Sequence, residues 1–387
     1  MANRLEKLET YMLSVIEDRR HDRGADAMRA FLRSLSGIFA SLVQFRLWLY
    51  RHRLMRPYTL GVQVISIGNL TVGGTGKTPI VEKFARTLQA SGRKVAILSR
   101  GYKRDEASAL TRWVNKLTGK AKRQLPQVVS DGKQLLLDSA ISGDEPFMLA
   151  SNLKDVAVVV DRDRVKAGKY AIQKLGCDTL ILDDGFQYLD LQHRLDIVLV
   201  DRTNPFGNRR MLPRGILREP IRNIKRAGFI FITKSNGDGA QELKDELRAY
   251  NRDAPITECR HCARYLQNVY TGERKDLDYL KDMPVSAISG IAQPKGFEDE
   301  LVRLGAKVMF HKRYTDHHRY TQMEVLEAIN RGMQRGAKIV VTTEKDAVRF
   351  PMIERRDIPI YYLRVEIELL SGAESFDAFI RKICFKN

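Results

Sequence analysis

The sequence predicts an α/β fold in which a mostly parallel sheet carries helices on both faces. Two observations lead to this prediction. From residue 60 onward, short apolar runs alternate with amphipathic segments, a pattern typical of buried parallel strands covered by helices. A glycine-rich segment, Thr71-Val-Gly-Gly-Thr-Gly-Lys-Thr78, separates the first apolar run from a segment with helical spacing.

The apolar runs set the predicted strands, and helical periodicity sets the predicted helices. Strands are expected at 62–67, 95–98, 156–160, 179–182, 197–200 and 229–233, and in a second series at 285–289, 308–310, 339–341 and 360–363. Helices are expected at about 79–88, 296–305, 321–335 and 373–383. Three segments follow: an N-terminal extension with an interface helix (1–56), a nucleotide-binding lobe (57–235) and a smaller α/β lobe (236–387). The third is expected to contribute to the active-site cleft.

The glycine-rich segment has the composition and the setting of a phosphate-binding loop, which makes the predicted fold one of the P-loop NTPase type. Its glycines let backbone N–H groups approach phosphate oxygens, and the following helix adds partial positive charge at its N-terminus. Lys77 is expected to reach the β- and γ-phosphates, and Thr78 to offer its hydroxyl to Mg²⁺. Because the usual pattern begins with glycine where this chain has Thr71, a glycine-rich turn with an exposed lysine is the alternative. The predicted nucleotide contacts are Thr71, Val72, Gly73, Gly74, Thr75, Gly76, Lys77 and Thr78.

Composition limits the compartment and the class of partner. The 387 residues carry a formal net charge of +19, which suits nucleic acid, anionic lipid or phosphorylated substrates without choosing among them. Four cysteines are too few for a disulfide framework, so a reducing compartment is expected. Cys259 and Cys262 have metal-like spacing around His261, but no second cysteine pair completes a zinc site. We therefore expect reduced thiols in a surface turn of the polar stretch 252–283.

Residues 28–50 combine leucines and aromatic side chains with flanking arginines. Their uncharged centre, residues 34–45, is well short of the roughly 20 residues that span a bilayer. This composition favours a helix lying in a membrane interface, with arginines at the level of the headgroups. A helix docked on the protein's own core is the alternative. The flanking arginines are Arg29, Arg33, Arg46, Arg51, Arg53 and Arg56. Residues 1–27 and the basic insertion 103–124 are assigned no role.

Several acidic residues and histidines are candidates for Mg²⁺ binding and for proton transfer. Asp183 and Asp184 follow an apolar strand, where phosphate-loop enzymes hold Mg²⁺, although a turn also explains the pair. Asp144 can accept a proton from an attacking hydroxyl, or it can cap a helix. The cluster Asp316-His-His318 can position such a base, whereas metal binding through both histidines is disfavoured because adjacent side chains diverge.

A series of short motifs in fixed order extends from about residue 40 to residue 383. The motifs are Gly68-Asn-Leu-Thr-Val-Gly-Gly-Thr-Gly-Lys-Thr-Pro79, Ser99-Arg-Gly-Tyr102, Gly143-Asp-Glu-Pro146, Asp183-Asp-Gly-Phe-Gln187, Leu212-Pro-Arg-Gly215, Leu217-Arg-Glu-Pro220, Asp316-His317 and Thr343-Glu-Lys-Asp-Ala347. Each motif alone is weak, but in this order they resemble the tetraacyldisaccharide 4'-kinase family of the lipid A pathway. That family shares the departure from glycine at Thr71.

The resemblance implies a kinase that moves the γ-phosphate of ATP to the 4'-hydroxyl of a tetraacyldisaccharide 1-phosphate with the help of Mg²⁺. By the family pattern, Asp144 looks like the catalytic base, which works with His317 and Lys77. The residues that resemble Mg²⁺ contacts are Thr78, Asp183, Asp184 and Glu219, and those that resemble substrate contacts are Tyr102, Arg164, Gln187 and Arg218. The chain departs from the family at Tyr188, where histidine is common.

The resemblance also implies partners and a location. The expected partners are a lipid A disaccharide precursor and an anionic membrane surface, with no nucleic acid, and the protein is expected to act as a monomer. It would lie on the cytoplasmic face of the bacterial inner membrane as a peripheral or monotopic protein.

Two other classes of protein share some of these features. A membrane-associated switch ATPase of the partition or septum type also has a Gly-Gly-x-Gly-Lys-Thr loop and an amphipathic anchor. Such ATPases carry a signature lysine where this chain has Val72. A nucleic-acid-binding ATPase fits only the net charge, because the sequence has no recognition motif and no basic stripe interleaved with aromatic residues.

Overall fold

The structure is a computed structural model that describes residues 11–12, 14–16, 18–20, 22–101, 125–355 and 357–385. Two features of the sequence analysis therefore lie outside the described residues, namely Tyr102 and the basic insertion 103–124. The strands, in chain order, are β1 (Gln63–Asn69), β2 (Val95–Ser99), β3 (Gln127–Asp131), β4 (Ala157–Val160), β5 (Thr179–Asp183), β6 (Leu195–Asp201), β7 (Phe229–Thr233), β8 (Ile256–Asn268), β9 (Arg274–Lys275), β10 (Pro284–Ser289), β11 (Lys307–Arg313), β12 (Ile339–Thr343) and β13 (Ile360–Leu369). The helices are α1 (Arg23–Arg51), α2 (Lys77–Ala90), α3 (Ser139–Ser142), α4 (Asp144–Asn152), α5 (Arg164–Leu175), α6 (Gln241–Tyr250), α7 (Pro294–Arg303), α8 (Gln322–Gln334), α9 (Glu344–Ala347) and α10 (Ala373–Phe385).

The chain folds into two compact units that alternate along the sequence. The first unit contains the described residues of Met1–Lys77, Thr179–Arg260 and Leu369–Asn387. The second contains those of Thr78–Asp178 and His261–Glu368. The chain thus passes between the units four times, namely within α2, just before β5, within β8 and at the end of β13. The sequence predicts three consecutive segments, 1–56, 57–235 and 236–387. This division stays a prediction.

Parallel strands form the centre of the first unit. β1 lies between β5 and β6, β7 pairs with β6, and the start of β8 pairs with β7, all in parallel. β1, β5 and β7 are buried along almost their whole length, as expected of strands covered on both faces. Phe229 and Phe231 of β7 contact the rings of Phe376 and Phe379 on α10, which anchors the C-terminal helix to this sheet.

The second unit contains two groups of strands. β4 pairs with β2 in parallel and with β3 antiparallel, and β10 lies between β11 and β12 with β13 beyond β12, all in parallel. Successive residues of β12 point to opposite faces. Ile339 and Val341 pack in the cluster that contains Phe297 of α7, whereas Val340 packs in the cluster that contains Ile329 of α8. Helices therefore cover both faces of this group, and the predicted α/β class is confirmed.

Three strands, β3, β8 and the two-residue β9, were not predicted, and one expectation was wrong. β8 falls in the stretch that the sequence indicated to be polar, because its buried side chains alternate with exposed and charged ones. Cys259 and Cys262 lie on this strand and not in a surface turn, and Cys259 is fully buried. Cys177, Cys259 and Cys262 are free thiols, and among the described residues no group of three His, Cys, Asp or Glu side chains can hold a metal ion.

The predicted amphipathic helix is present as α1 and has two different apolar faces. One face, with Phe39, Ala40 and Val43, packs on the core of the first unit. The other face is exposed and carries Phe31, Leu35, Ile38, Leu42 and Phe45, spaced by four and three residues as on one side of a helix. Both sequence interpretations, docking on the core and an outward apolar face, therefore describe part of this helix. In the described part of the chain, no helix combines the length and apolarity needed to cross a membrane.

Some of the described residues before α1 pack within the first unit. Val15 is fully buried in a small cluster with Ala25 and Leu32 of α1. The guanidinium of Arg214, itself buried, contacts the carboxylate of Asp18 at 2.5 Å. A buried arginine is stable only when its charge is paired, so this contact fixes the residues before α1 on the segment that carries Arg214.

A buried ionic network joins the two chain segments of the second unit. Arg364 of β13 donates to both carboxylate oxygens of Glu344, at 2.8 and 2.9 Å, and also contacts the carboxylate of Glu82 on α2. Asn152, at the end of α4, donates to Glu344 at 2.6 Å and to Glu82 at 3.3 Å. Burial raises the pKa of Glu344, although the charge of Arg364 opposes the shift. The side chain of Arg364 is only 3% exposed, so the network excludes water.

Arg364→Met should destabilise the protein strongly, because it leaves two buried carboxylates without their cation. Loss of one partner of a buried ion pair costs about 3–5 kcal/mol in the free energy of unfolding. Urea denaturation followed by circular dichroism measures the loss. The matched control is Arg331→Met, which removes an exposed pair with Glu327 and should cost about 0.5 kcal/mol or less. Equal denaturation midpoints for the two variants would show that the network does not support the fold.

Candidate active site

The loop between β1 and α2 has the backbone of a phosphate-binding loop. Gly73 and Gly76 have φ angles of 112° and 76°, which L-residues with a side chain rarely adopt. A Cβ atom at Gly73 or at Gly74 would meet no atom within 4 Å, so both glycines border open space. The loop ends at Lys77, the first residue of α2, and the N–H groups of that first helical turn have no partner within the helix. This arrangement fits a bound phosphate chain.

Asn69, the last residue of β1, stabilises the loop through hydrogen bonds of its side-chain amide. Its buried amide nitrogen donates to the hydroxyl of Thr75 at 3.1 Å and to that of Thr71 at 3.4 Å. Its amide oxygen accepts from Nζ of Lys77 at 3.4 Å. Thr233, at the end of β7, adds a hydrogen bond of 3.0 Å to the carbonyl of Thr75. The threonine at position 71 therefore supplies a buried hydroxyl that glycine cannot, which gives a physical reason for this departure from the usual pattern.

Asp184 lies beside Lys77 and has a left-handed backbone conformation, with φ of 54°. Arg218 donates to its two carboxylate oxygens at 2.9 and 2.8 Å, and Nζ of Lys77 lies 3.5 Å away. Burial raises the pKa of Asp184, but the charges of Lys77 and Arg218 outweigh burial, so the net pKa lies below the ordinary value. Gln187 joins this group through a contact of 3.4 Å with Arg218 and a hydrogen bond of 2.9 Å to the carbonyl of Asn69.

The residues that resemble Mg²⁺ contacts differ in their surroundings. Asp183 is the buried last residue of β5, beside Ile67 of β1. Glu219 is buried, and its carboxylate accepts hydrogen bonds from Asn223 at 2.8 Å and Arg226 at 3.0 Å. Thr78, the second residue of α2, is also buried. Mg²⁺ usually takes one or two carboxylates together with substrate phosphates and water, so Asp183 and Asp184 of the first unit are suitable donors.

Residues 211–218 connect the phosphate loop to α1. The backbone N–H of Arg218 donates to the carbonyl of Leu70 at 2.7 Å. Ser36, on the buried face of α1, donates to the carbonyl of Met211 at 2.7 Å. Arg218 therefore reaches Asp184 from a segment whose backbone is fixed at both ends. In the first unit, the fold brings Lys77, Asp184, Gln187 and Arg218 into one charged group.

Asp144 belongs to the second unit and is the first residue of α4. Gly143 is the N-cap residue, with φ of 92°, so the alternative that Asp144 caps the helix is wrong. The Asp144 side chain is 8% exposed, and its Oδ2 atom lies 3.2 Å from Nδ1 of His317. Two arginines contact the same carboxylate, Arg319 at 3.4 Å and Arg349 at 3.3 Å. The fold thus joins Asp144 and His317, which are far apart in sequence.

The surroundings of this pair include residues to which the sequence analysis gave no role. Arg349 has a fully buried side chain and donates to the carbonyls of Lys345 at 2.9 Å and His318 at 3.0 Å. Nζ of Lys345 lies 3.3 Å from Nε2 of His317. Arg319 is adjacent to the Asp316-His-His318 cluster, and Lys345 lies within the Thr343-Glu-Lys-Asp-Ala347 motif. Their proximity to these motifs was the only signal in the sequence.

The backbone of His317 is held in an unusual conformation. Its φ angle is 62°, and its N–H lies 3.0 Å from Oδ1 of Asp316 and 3.3 Å from the carbonyl of Gly290. A Cβ atom at Gly290 would lie 2.8 Å from the hydroxyl of Tyr320, which leaves no room for a side chain. Tyr320 donates to the buried carboxylate of Asp346 at 2.7 Å, and burial together with that charge raises the pKa of Tyr320. These contacts are evidence of a preorganised site.

Arg164 and His318 are two further residues that were named from the sequence. Arg164 is the buried first residue of α5 in the second unit, and it therefore belongs to a different unit from Gln187 and Arg218. His318 contacts Glu324 at 3.0 Å while His317 contacts Asp144, so the side chains of the two histidines diverge as predicted.

Comparisons with known proteins agree along nearly the whole chain. The profile of the family described as LpxK: Tetraacyldisaccharide-1-P 4'-kinase matches residues 28–384. A tetraacyldisaccharide 4'-kinase of Halothermothrix orenii is 34% identical over 386 residues, which covers 95% of this chain and 96% of the relative. One of Anaeromyxobacter dehalogenans strain 2CP-1 is 40% identical over 346 residues, with 88% and 86% covered. A crystal structure of LpxK from Aquifex aeolicus, described as in complex with ATP, has a TM-score of 0.72 at 30% identity and covers 92% of this chain and 100% of that one.

Lys77→Met should weaken ATP binding by about 10- to 100-fold, because a hydrogen bond to a charged group contributes about 1.5–3 kcal/mol. Isothermal titration with ATP measures the dissociation constant. Lys174→Met, which changes an exposed lysine on α5, is the control and should bind ATP as the unmodified protein does. If the Lys77→Met variant bound ATP with unchanged affinity, the loop would not hold the phosphates in the expected way.

Proposed function

The chain belongs to the tetraacyldisaccharide-1-P 4'-kinase family, and from this premise we propose a lipid A 4'-kinase reaction with Asp144 as its base. The protein transfers the γ-phosphate of ATP to the 4'-hydroxyl of a tetraacylated disaccharide 1-phosphate. The observation that carries the assignment of the base is the contact of Asp144 with His317 at the start of α4. A carboxylate at a helix N-terminus that is held by a histidine and two arginines is oriented for proton acceptance.

Nucleotide binding is assigned to the first unit. Backbone N–H groups of residues 73–78 and the side chain of Lys77 bind the β- and γ-phosphates. Asp183 and Asp184 would hold Mg²⁺, which would neutralise charge on the phosphate oxygens, and the hydroxyl of Thr78 stays a proposed further contact. Because Arg218 and Gln187 lie within the same charged group, they are assigned to the anionic and polar parts of the substrates. Glu219, whose carboxylate accepts hydrogen bonds from Asn223 and Arg226, stays a proposed further Mg²⁺ contact.

Proton transfer is assigned to the second unit. As the 4'-oxygen attacks the γ-phosphorus, its proton passes to the carboxylate of Asp144, and ADP leaves with the electron pair of the broken bond. His317 orients the carboxylate, and Arg319 and Arg349 contact it as well. Arg164, and Tyr102 outside the described residues, remain proposed contacts to the sugar and phosphate of the acceptor.

Membrane binding is assigned to the exposed apolar face of α1. An acceptor with acyl chains lies in a bilayer, and the enzyme must therefore work at its surface. The exposed face of α1 is flanked by exposed arginines, Arg33 before its centre and Arg46, Arg51, Arg53 and Arg56 after it. Apolar side chains can insert below the headgroups while arginines contact anionic lipid phosphates. We place the protein on the cytoplasmic face of the inner membrane, as a monomer that does not bind nucleic acid.

Asp144→Ala should lower kcat by about 10²-fold or more, since general-base catalysis typically contributes that much. Transfer of ³²P from labelled ATP to the disaccharide lipid measures kcat, and titration should show ATP affinity unchanged. The control is Asp278→Ala, which removes a largely exposed carboxylate in the same unit. Turnover near that of the unmodified protein would exclude Asp144 as the base, whereas an unmodified protein that failed to label the lipid would refute the activity itself.

Replacing Ile38, Leu42 and Phe45 together with asparagine should reduce binding to anionic vesicles by at least about 10-fold. Burial of even one such side chain contributes about 1.5–3 kcal/mol. Vesicle flotation measures the bound fraction, and the binding should also fall with salt because the arginines contribute. Ser41→Asn, an exposed polar change on the same helix, is the control. Unchanged flotation of the triple variant would mean that another surface binds the membrane.

A further inference from the structure

Lys345 is a cation at the site that the mechanism above does not use. It is the second residue of α9 and its side chain is 24% exposed. Nζ of Lys345 lies 3.3 Å from Nε2 of His317 and 3.7 Å from carboxylate oxygens of both Glu145 and Asp316. The position of the ammonium group against the imidazole sets the direction of the hydrogen bonds that lead to Asp144.

An ammonium group has hydrogen-bond donors and no acceptor. Nε2 of His317 must therefore act as the acceptor in its contact with Lys345, and in the neutral imidazole the proton then resides on Nδ1. Nδ1 is the atom that lies 3.2 Å from Oδ2 of Asp144. The hydrogen bonds consequently run in one direction, from the Lys345 ammonium to the imidazole and from the imidazole to the Asp144 carboxylate.

We infer that Lys345 is a positioning residue, which fixes the tautomer of His317 and thereby the orientation of the carboxylate of Asp144. The functional part of this inference rests on the proposed role of Asp144 as the base. Without Lys345, the Asp144 carboxylate still favours the proton on Nδ1, but Asp316, 3.9 Å from Nε2, favours it on Nε2, so both tautomers become populated. A proton on Nε2 leaves the Nδ1 lone pair facing the carboxylate, and this repulsion turns the carboxylate away from its catalytic orientation.

Asp316, Arg319 and Arg349 are charged groups near this pair that differ from Lys345 in what they contact. Asp316 lies 3.9 Å from Nε2 and, as an ionised carboxylate, can only accept a hydrogen bond, so it favours the opposite tautomer. Arg319 and Arg349 contact the Asp144 carboxylate itself. Loss of Lys345 therefore leaves the charge of Asp144 compensated and changes mainly the preference for one tautomer.

The test is nuclear magnetic resonance of the full chain labelled with ¹⁵N-histidine, recorded at pH 8, where exposed histidines are neutral. The difference spectrum against His317→Gln identifies the His317 signals. We expect the unmodified protein to show the proton on Nδ1, and Lys345→Met to show the Nε2–H form as well. In the ³²P transfer assay, Lys345→Met should lower kcat by about tenfold or more while the KM for ATP changes by less than about twofold. Lys338→Met, an exposed change just before β12, is the control.

Lys345→Arg distinguishes positioning from structural support, because it keeps a cation that can only donate. This variant should retain the Nδ1–H form and more of kcat than Lys345→Met. A proton on Nε2 in the unmodified protein would overturn the inference, and so would equal losses of kcat in both variants. If the tautomer shifts as expected but the unmodified protein does not phosphorylate the lipid, the proposed function fails while the assignment of the tautomer stands.

Discussion

The second unit depends on the burial of one positive charge, that of Arg364. Its guanidinium lies between Glu82 and Glu344, two carboxylates that come from different chain segments of the unit. Because a buried charge without its partner is far more costly than a surface charge, the two segments can adopt only arrangements that keep the three groups together. Asn152 extends this constraint to α4 through its hydrogen bond to Glu344.

The same buried ionic network also fixes the position of α4, the helix that begins with Asp144. α4 is nine residues long, or about 13 Å, and its last residue, Asn152, is tied to the first residue of α9. Its first residue, Asp144, contacts His317, which in turn contacts Lys345, the next residue of α9. The helix is thus held to α9 directly at one end and through the imidazole at the other. A carboxylate fixed in this way loses little freedom when it accepts a proton, which is the main requirement for a general base.

In the first unit, buried hydrogen bonds instead fix the shape of a loop that borders open space. The side-chain amide of Asn69 forms hydrogen bonds with Thr71, Thr75 and Lys77. Gly73 and Gly74 have no side chains and border open space. The loop is also connected through residues 211–218 to the buried face of α1. For a kinase whose acceptor is a lipid, this connection places the proposed nucleotide site and the exposed apolar face of α1 on one compact unit.

The sequence by itself determined the local elements and the kinds of chemistry. Strands such as β7 and β12 were predictable because they are buried on both faces and therefore read as unbroken apolar runs, and the glycine pattern at 71–78 identified the loop. β3 and β8 escaped prediction because neither contains an unbroken apolar run. β3 has only two buried residues, one of them Ser130, and the buried residues of β8 include Thr257 and Glu258. Asp144 and His317 could be named as a base and its partner only through their motifs. The tertiary structure alone decided that they meet, that Asp184 faces Lys77 and Arg218, and that Arg349 and Lys345 complete the surroundings. These are contacts between residues distant in sequence, and they are set by the burial of charge, for which local composition carries no signal.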